Sequence, residues 1–137
     1  MSPSDRRSVV VERDLAFPVA QVWEALTQPE LIKDWLMPND FRPEVDHAFS
    51  FSAEWGEVEC RVTVVEPMRR LAYTWAAFDV DTIVTWTLTP SDVGTLLRME
   101  QAGFRADQKQ AIGGATGGWR RFLDNLERTL AKGGGRE

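Results

Sequence analysis

The spacing of hydrophobic and polar residues changes twice along the chain. Residues 8–17 (SVVVERDLAF) are apolar and β-branched before they alternate with polar residues, which predicts a strand. Residues 18–27 and 29–36 carry apolar side chains at helical spacing, and each segment begins at a proline, which is favourable in the first turn of a helix. From residue 48 to 102 the spacing becomes two, which predicts a succession of strands.

The period-two region contains roughly five strands separated by turn signals. The turns fall at 55–56, 66–70, 78–81 and 89–94. Because such short connections join neighbouring strands, we expect antiparallel pairing, with one face of the sheet apolar and the other polar. The side chains expected on the apolar face are Phe49, Phe51, Val58, Cys60, Val62, Val64, Leu71, Tyr73, Trp75, Val84, Trp86, Leu88, Leu97 and Met99.

Helical spacing returns near the end of the chain and predicts a long amphipathic helix. The complete pattern therefore indicates an α+β fold, in which a curved antiparallel sheet of about six strands carries two short helices and a long C-terminal helix packed across it. One helix cannot cover such a sheet completely, so part of the apolar face is left for a cavity. The apolar side of this helix comprises Ala111, Ile112, Ala115, Trp119, Phe122, Leu123, Leu126 and Leu130.

Four glycines lie in the first half of this helix, at 113, 114, 117 and 118. Each costs roughly 1 kcal/mol of helix stability relative to alanine. Gly114 and Gly118 lie at the edge of the apolar side, where we expect them to let the helix approach the sheet or a bound ligand closely, so that a methyl group at 118 would enter filled space. Gly113 and Gly117 lie toward solvent, where we expect them to keep this half of the helix loose as a gate for ligand.

The size and charge of the chain narrow its class. A chain of 137 residues has the length of one domain, here 1–137 with a core at about 8–131 and flexible ends. The net charge of −5 opposes nucleic-acid binding, and no segment has the apolar length of a membrane span. Because Cys60 is the single cysteine, no intramolecular disulfide forms, and we expect a cytoplasmic protein, either a monomer or a homodimer.

Four segments carry a resemblance to a known superfamily: FPVAQVWEALTQPELIKDWLMP, WGEVECRVTVVEPMRRLAYTW, VTWTLTPSDVGTLLRMEQAG and GGWRRFLDNLERTL. With the order of elements, they resemble the START-like helix-grip superfamily, the fold of the birch-pollen allergen, and within it the activator-of-heat-shock-protein-ATPase-like group. Where that group usually has a glycine pair before a strand, this chain has Asp46 and His47. The resemblance implies an apolar cavity between the sheet and the C-terminal helix.

Catalytic and metal-binding motifs are poorly represented. With one histidine and one cysteine, the chain offers neither a nucleophile–base–orienter set nor a transition-metal site, and no phosphate-binding glycine loop follows a strand. We therefore assign no catalytic residue, no metal ligand and no cofactor. We expect His47, beside Asp46, to be structural. The alternative is that His47 acts as a lone general base, which would favour an enzyme.

The aromatic residues give the leading hypothesis, which is binding of a small hydrophobic or aromatic molecule between the sheet and the C-terminal helix. Tyr73 and the indole N–H groups are expected to supply the polar contacts, and Trp35 is expected at the mouth of the cavity. One alternative is a chaperone-associated interaction module with Phe78 and Val80 exposed, and another is an enzyme, such as a cyclase or hydrolase, that uses the same cavity. The expected ligand-binding residues are Trp35, Phe49, Phe51, Tyr73, Trp75, Trp86, Met99, Trp119 and Phe122.

Overall fold

A computed structural model describes residues 6–133 and confirms the α+β architecture. The expected flexible ends lie outside the described residues at 1–5 and 134–137, whereas Arg6 and Arg7 belong to the first strand. None of the helices within the described range is long and apolar enough to cross a membrane. The elements are β1 (Arg6–Leu15), α1 (Val19–Thr27), α2 (Pro29–Trp35), β2 (Ala48–Ala53), β3 (Gly56–Glu66), β4 (Arg70–Ala77), β5 (Val80–Pro90), β6 (Thr95–Arg105) and α3 (Lys109–Gly133).

The six strands form one antiparallel sheet in the order β1-β6-β5-β4-β3-β2. Strands β2 to β6 follow one another through short turns, as the turn signals predict. β1 pairs with β6 rather than with its neighbour in sequence, because α1 and α2 separate it from β2. The sheet therefore has β1 and β2 at its two edges.

Helix α3 packs across the apolar face of the sheet. Its second half is closely packed, with Leu123, Leu126 and Leu130 buried in the core. Arg13 on β1 ties this half to the sheet by ion pairs to Asp124 at 2.6 Å and Glu127 at 3.1 Å. The partly exposed ion pairs contribute little energy compared with the buried leucines, so apolar burial fixes this half of the helix.

A bulge in β3 corrects one expectation of the alternating pattern. The pairing of β3 with β4 shifts between Val62 and Val64. As a result Val65, opposite Leu71, packs against the core, whereas Val64 is only half-buried and is not among the residues that pack there. One extra residue in a strand exchanges the faces of everything that follows it.

β6 continues to Arg105, beyond the expected end of the strands at residue 102, and it contains a second bulge at Gly103. Ser8 pairs with Ala102 and Arg7 with Phe104, so Gly103 is the extra residue, and its φ is 119°. The bulge turns Phe104 into the interior, where it is buried. A Cβ at 103 would lie 3.1 Å from the carbonyl oxygen of Asp81, so both the φ angle and the available space require glycine.

Candidate ligand-binding site

An apolar cavity of about 300 Å³ lies between the first half of α3 and one end of the sheet. Its inner wall consists of the buried residues Gln101, Phe104 and Trp119. The bulge at Gly103 contributes to this wall, because it brings Phe104 to the same face as Gln101. The cavity thus occupies part of the apolar sheet face that α3 does not fill.

Small residues of α3 form the helical side of the cavity: Ala111, Gly114, Ala115 and Gly118. All four glycines of the segment belong to the helix, and none has a positive φ. A Cβ at Gly114 would meet no atom within 4 Å, and at Gly118 only the Arg121 guanidinium at 4.0 Å. The expectation that a methyl group at 118 enters filled space is therefore wrong, since these two glycines leave room instead of permitting close packing.

Three aromatic side chains form the adjacent walls. Trp119 lies with its ring centroid 5.1 Å from Trp75 on β4 and 5.6 Å from Phe122, one turn further along α3. Aromatic pairs at such separations and tilted angles contribute energy beyond their buried area. Trp75 and Phe122 are only partly buried, and both line the cavity.

Two exposed aromatic side chains lie at the rim of the cavity. Trp55, in the β2–β3 turn, is 54% exposed, and Phe78, in the β4–β5 turn, is 85% exposed. Their ring centroids are 5.8 Å apart. Phe78 has φ 55°, a conformation that is costly for a bulky side chain. An exposed phenylalanine in a strained turn contributes little to the stability of the fold, so we expect Phe78 to act at the cavity.

Substitution of Phe78 by glycine tests that role. We expect the free energy of unfolding to stay within about 1 kcal/mol of the wild-type value, because strain is relieved and little packing is lost. Affinity for an apolar probe such as naphthalene should fall by about threefold to tenfold, the loss typical of one aromatic contact. Met68→Gly is the matched control, because Met68 also has a positive φ of 68° and is exposed but lies outside the cavity. Equal effects of both variants on binding would contradict the assignment.

The polar group in the wall is Gln101, which is 2% exposed. Trp119 Nε1–H donates to its Oε1 at 2.7 Å, and its Nε2 donates to Thr82 Oγ1 at 2.9 Å. The Thr82 hydroxyl donates in turn to the carbonyl oxygen of Trp75 at 3.0 Å. Because an indole N–H can only donate, these contacts fix the orientation of the carboxamide.

The groups expected to supply polar contacts are engaged elsewhere. Trp86 Nε1–H donates to the Tyr73 hydroxyl oxygen at 2.9 Å, and Trp35 Nε1–H donates to the carbonyl oxygen of Ala25 at 2.8 Å. Burial raises the pKa of the Tyr73 phenol, which therefore stays protonated. This pair and Trp35 contribute to the core, and none of the three residues lines the cavity.

The nine expected ligand-binding residues therefore separate into two groups. Trp75, Trp119 and Phe122 line the cavity. The sequence pattern missed Trp55, Phe78, Gln101 and Phe104, although a glycine within the β6 pattern is a recognised signal of a bulge. The remaining six are buried in the core outside the cavity wall: Trp35, Phe49, Phe51, Tyr73, Trp86 and Met99.

His47 directly precedes β2, and Cys60 lies on β3. Both are therefore near the β2 edge of the sheet, away from β6. The His47 ring contacts the carbonyl oxygen of Asp40 through Nε2 at 3.0 Å and stacks beside Phe49. Cys60 is buried, and burial raises the pKa of its thiol, so the thiol is not a ready nucleophile at neutral pH. Neither side chain lines the apolar cavity, and no group of three or more metal-ligating side chains occurs within residues 6–133.

A second depression, of about 490 Å³, lies on the polar face of β2, β3 and β4. It is wide and open, and its charged lining residues include Glu57, Glu59 and Arg61, all exposed to solvent. Charges in that environment interact weakly with a ligand, because water competes for them. The cavity beside α3 is smaller but lined almost entirely by apolar side chains, and is the stronger candidate for a binding site.

The curved sheet, the long helix across it and the cavity between them define a protein of the helix-grip class. The chain belongs to the family described as Activator of Hsp90 ATPase homolog 1-like protein, whose profile matches residues 16–131. Asp46 has φ 74°, a conformation that favours glycine, at the position where the resemblance implies a glycine pair.

Solved structures from several bacteria share this fold. Protein MLL2253 from Mesorhizobium loti is 51% identical, with a TM-score of 0.90 over 92% of this chain and 98% of that one. CalU16 from Micromonospora echinospora is 26% identical, with a TM-score of 0.80 over 91% and 76% of the two chains. DynU16, from the dynemicin biosynthetic locus, is 26% identical with a TM-score of 0.81. The match includes 96% of this chain but only 49% of DynU16. A search of curated proteins found no match.

Proposed function

We propose that this protein binds a small, neutral hydrophobic or aromatic molecule in the cavity beside α3. The observation that carries the proposal is the composition of the helix where it borders the cavity. Gly114 and Gly118 weaken the helix by roughly 1 kcal/mol each, yet the space they leave is open rather than filled by the sheet. A helix with no ligand to accommodate would be more stable with larger side chains at these positions.

The size of the cavity limits the ligand. A dry cavity of roughly 150 Å³ lined by apolar side chains accommodates benzene. A cavity of about 300 Å³ therefore fits a compound of two fused rings or a similar short aliphatic molecule. A long acyl chain would extend past Trp55 and Phe78 into water.

The chaperone-interaction alternative requires an exposed apolar surface, and Trp55 and Phe78 provide a small one. Because both side chains also line the cavity, ligand binding accounts for their exposure without a protein partner. Val80 is only half-buried in the same place and faces the cavity. Native mass spectrometry of the purified protein separates the two hypotheses, since a retained small molecule supports the first and a retained chaperone the second.

The enzyme alternative finds little support in the cavity itself. The side chains that line it are apolar apart from Gln101, whose carboxamide does not transfer protons near neutral pH. Binding without chemical conversion is therefore the activity that this lining supports best.

Naphthalene is a suitable probe of the proposed function. At a free concentration ten times its Kd it should stabilise the folded state by about 1.4 kcal/mol and raise Tm by a few degrees. Trp119 and Trp75 should change their fluorescence on binding, because both line the cavity. If none of the three probes naphthalene, indole and a naphthalene sulfonate changes either the Tm or the tryptophan emission, the proposed function is wrong.

A further inference from the structure

Resting on the proposed function, we infer that Gln101 determines which ligands the cavity accepts, and that the preferred ligand is an aromatic molecule with one neutral hydroxyl group. Gln101 is the polar side chain of the cavity wall, is buried, and is held rigidly by Trp119 and Thr82. A buried polar group in an otherwise apolar wall orients a ligand and gives specificity.

The hydrogen-bonding capacity of Gln101 is only half used within the fold. Its Oε1 has two lone pairs and accepts from Trp119, and its Nε2 has two hydrogens and donates one to Thr82. One acceptor site and one N–H hydrogen therefore remain. A hydroxyl group matches both, because it donates to Oε1 or accepts from Nε2.

The apolar lining of the cavity disfavours ionised ligands. Among the described residues, no charged side chain is part of the cavity lining, and an ion transferred into an apolar site without a partner loses its hydration energy. The Arg121 guanidinium lies 4.0 Å from the position of a Cβ at Gly118, but Arg121 is exposed to solvent, so water screens its charge from a ligand. A neutral hydroxyl is therefore preferred over a carboxylate of the same size.

Three probes of matched shape test this inference: naphthalene, 2-naphthol and 2-naphthoate. We expect 2-naphthol to bind about fivefold more tightly than naphthalene, the ratio typical of one net hydrogen bond. 2-Naphthoate should bind at least tenfold more weakly than 2-naphthol at pH 7. If none of the three binds, the proposed function fails; if naphthalene binds as tightly as 2-naphthol, or 2-naphthoate binds best, the function stands and the inference about Gln101 is wrong.

Gln101→Met removes the carboxamide and nearly preserves the length of the side chain. We expect it to abolish the fivefold preference for 2-naphthol over naphthalene, whatever its effect on the affinity for naphthalene itself. Trp35→Phe is the control for a general loss of stability, because it breaks a buried indole hydrogen bond to Ala25 outside the cavity. That control should keep the preference. Since the ratio between two probes is read within each variant, a purely structural role of Gln101 would leave it unchanged and would overturn the inference.

Discussion

Replacing Trp86 by alanine is expected to lower the free energy of unfolding by about 3–5 kcal/mol, the range for removal of a large buried aromatic side chain. Trp86 is 0% exposed and packs with ring centroids 5.7 Å from Trp35 and 5.6 Å from Trp119. The substitution would also remove the indole hydrogen bond to Tyr73 inside the core. Urea unfolding monitored by far-UV circular dichroism measures the effect.

Trp55→Ala is the matched substitution at the cavity rim. Trp55 is half-exposed, so stability should fall by less than about 1 kcal/mol, whereas naphthalene affinity should fall several-fold. If Trp86→Ala prevents folding, Trp86→Phe supplies a milder loss at the same position. A Trp55→Ala variant with reduced stability and normal naphthalene binding would show that Trp55 is structural.

Filling the cavity should separate binding from stability most clearly. Ala115 lies on α3 with its side chain toward the cavity, half-buried beside Trp119 and Phe122. Ala115→Leu adds three carbon atoms to open space, so we expect naphthalene affinity to fall at least tenfold with no loss of stability. Ala131→Leu is the control, because residue 131 is exposed at the end of the same helix. Calorimetric titration and thermal melts of both variants give the two quantities.

The glycines provide a finer version of the same experiment. Gly118→Ala and Gly113→Ala should each stabilise the helix by about 0.4–1 kcal/mol, since neither Cβ meets a close contact. Of these two glycines, Gly118 lines the cavity and Gly113 does not, so only Gly118→Ala should weaken naphthalene binding. Destabilisation by Gly118→Ala would restore the close-packing interpretation. The gate hypothesis for Gly113 and Gly117 stays a prediction, tested by the dissociation rates of the same variants.

The hydrophobic pattern was sufficient to predict the elements of the fold. Strict alternation in β4 correctly places Tyr73 and Trp75 on the inner face, and helical spacing correctly places Trp119 and Leu126 on the inner side of α3. These predictions succeed because periodicity reports directly which face of an element is buried. The same pattern cannot tell a closed core from a cavity wall, since both are apolar.

The features that distinguish the site depend on the third dimension. Phe104 faces inward only because of the bulge at Gly103. Trp55 and Phe78 meet at the rim because the antiparallel pairing of β2 to β5 places these two turns at the same end of the sheet. Gln101 follows Leu97 and Met99 at the spacing of the inward-facing residues of β6, although its side chain is polar. Its hydrogen bond with Trp119 explains why it is buried there. Each depends on contacts between elements, which sequence spacing does not contain.

The central claim is that a small apolar ligand occupies the cavity beside α3. It is tested most directly by NMR titration of the ¹⁵N-labelled protein with naphthalene, observed at the indole N–H signals of its six tryptophans. We expect the signals of Trp55, Trp75 and Trp119, which line the cavity, to shift in a saturable manner. Those of Trp23 and Trp35, which lie outside it, should remain unchanged. The account is contradicted if saturating naphthalene leaves the Trp119 signal in place, or if the signals of Trp23 and Trp35 shift instead.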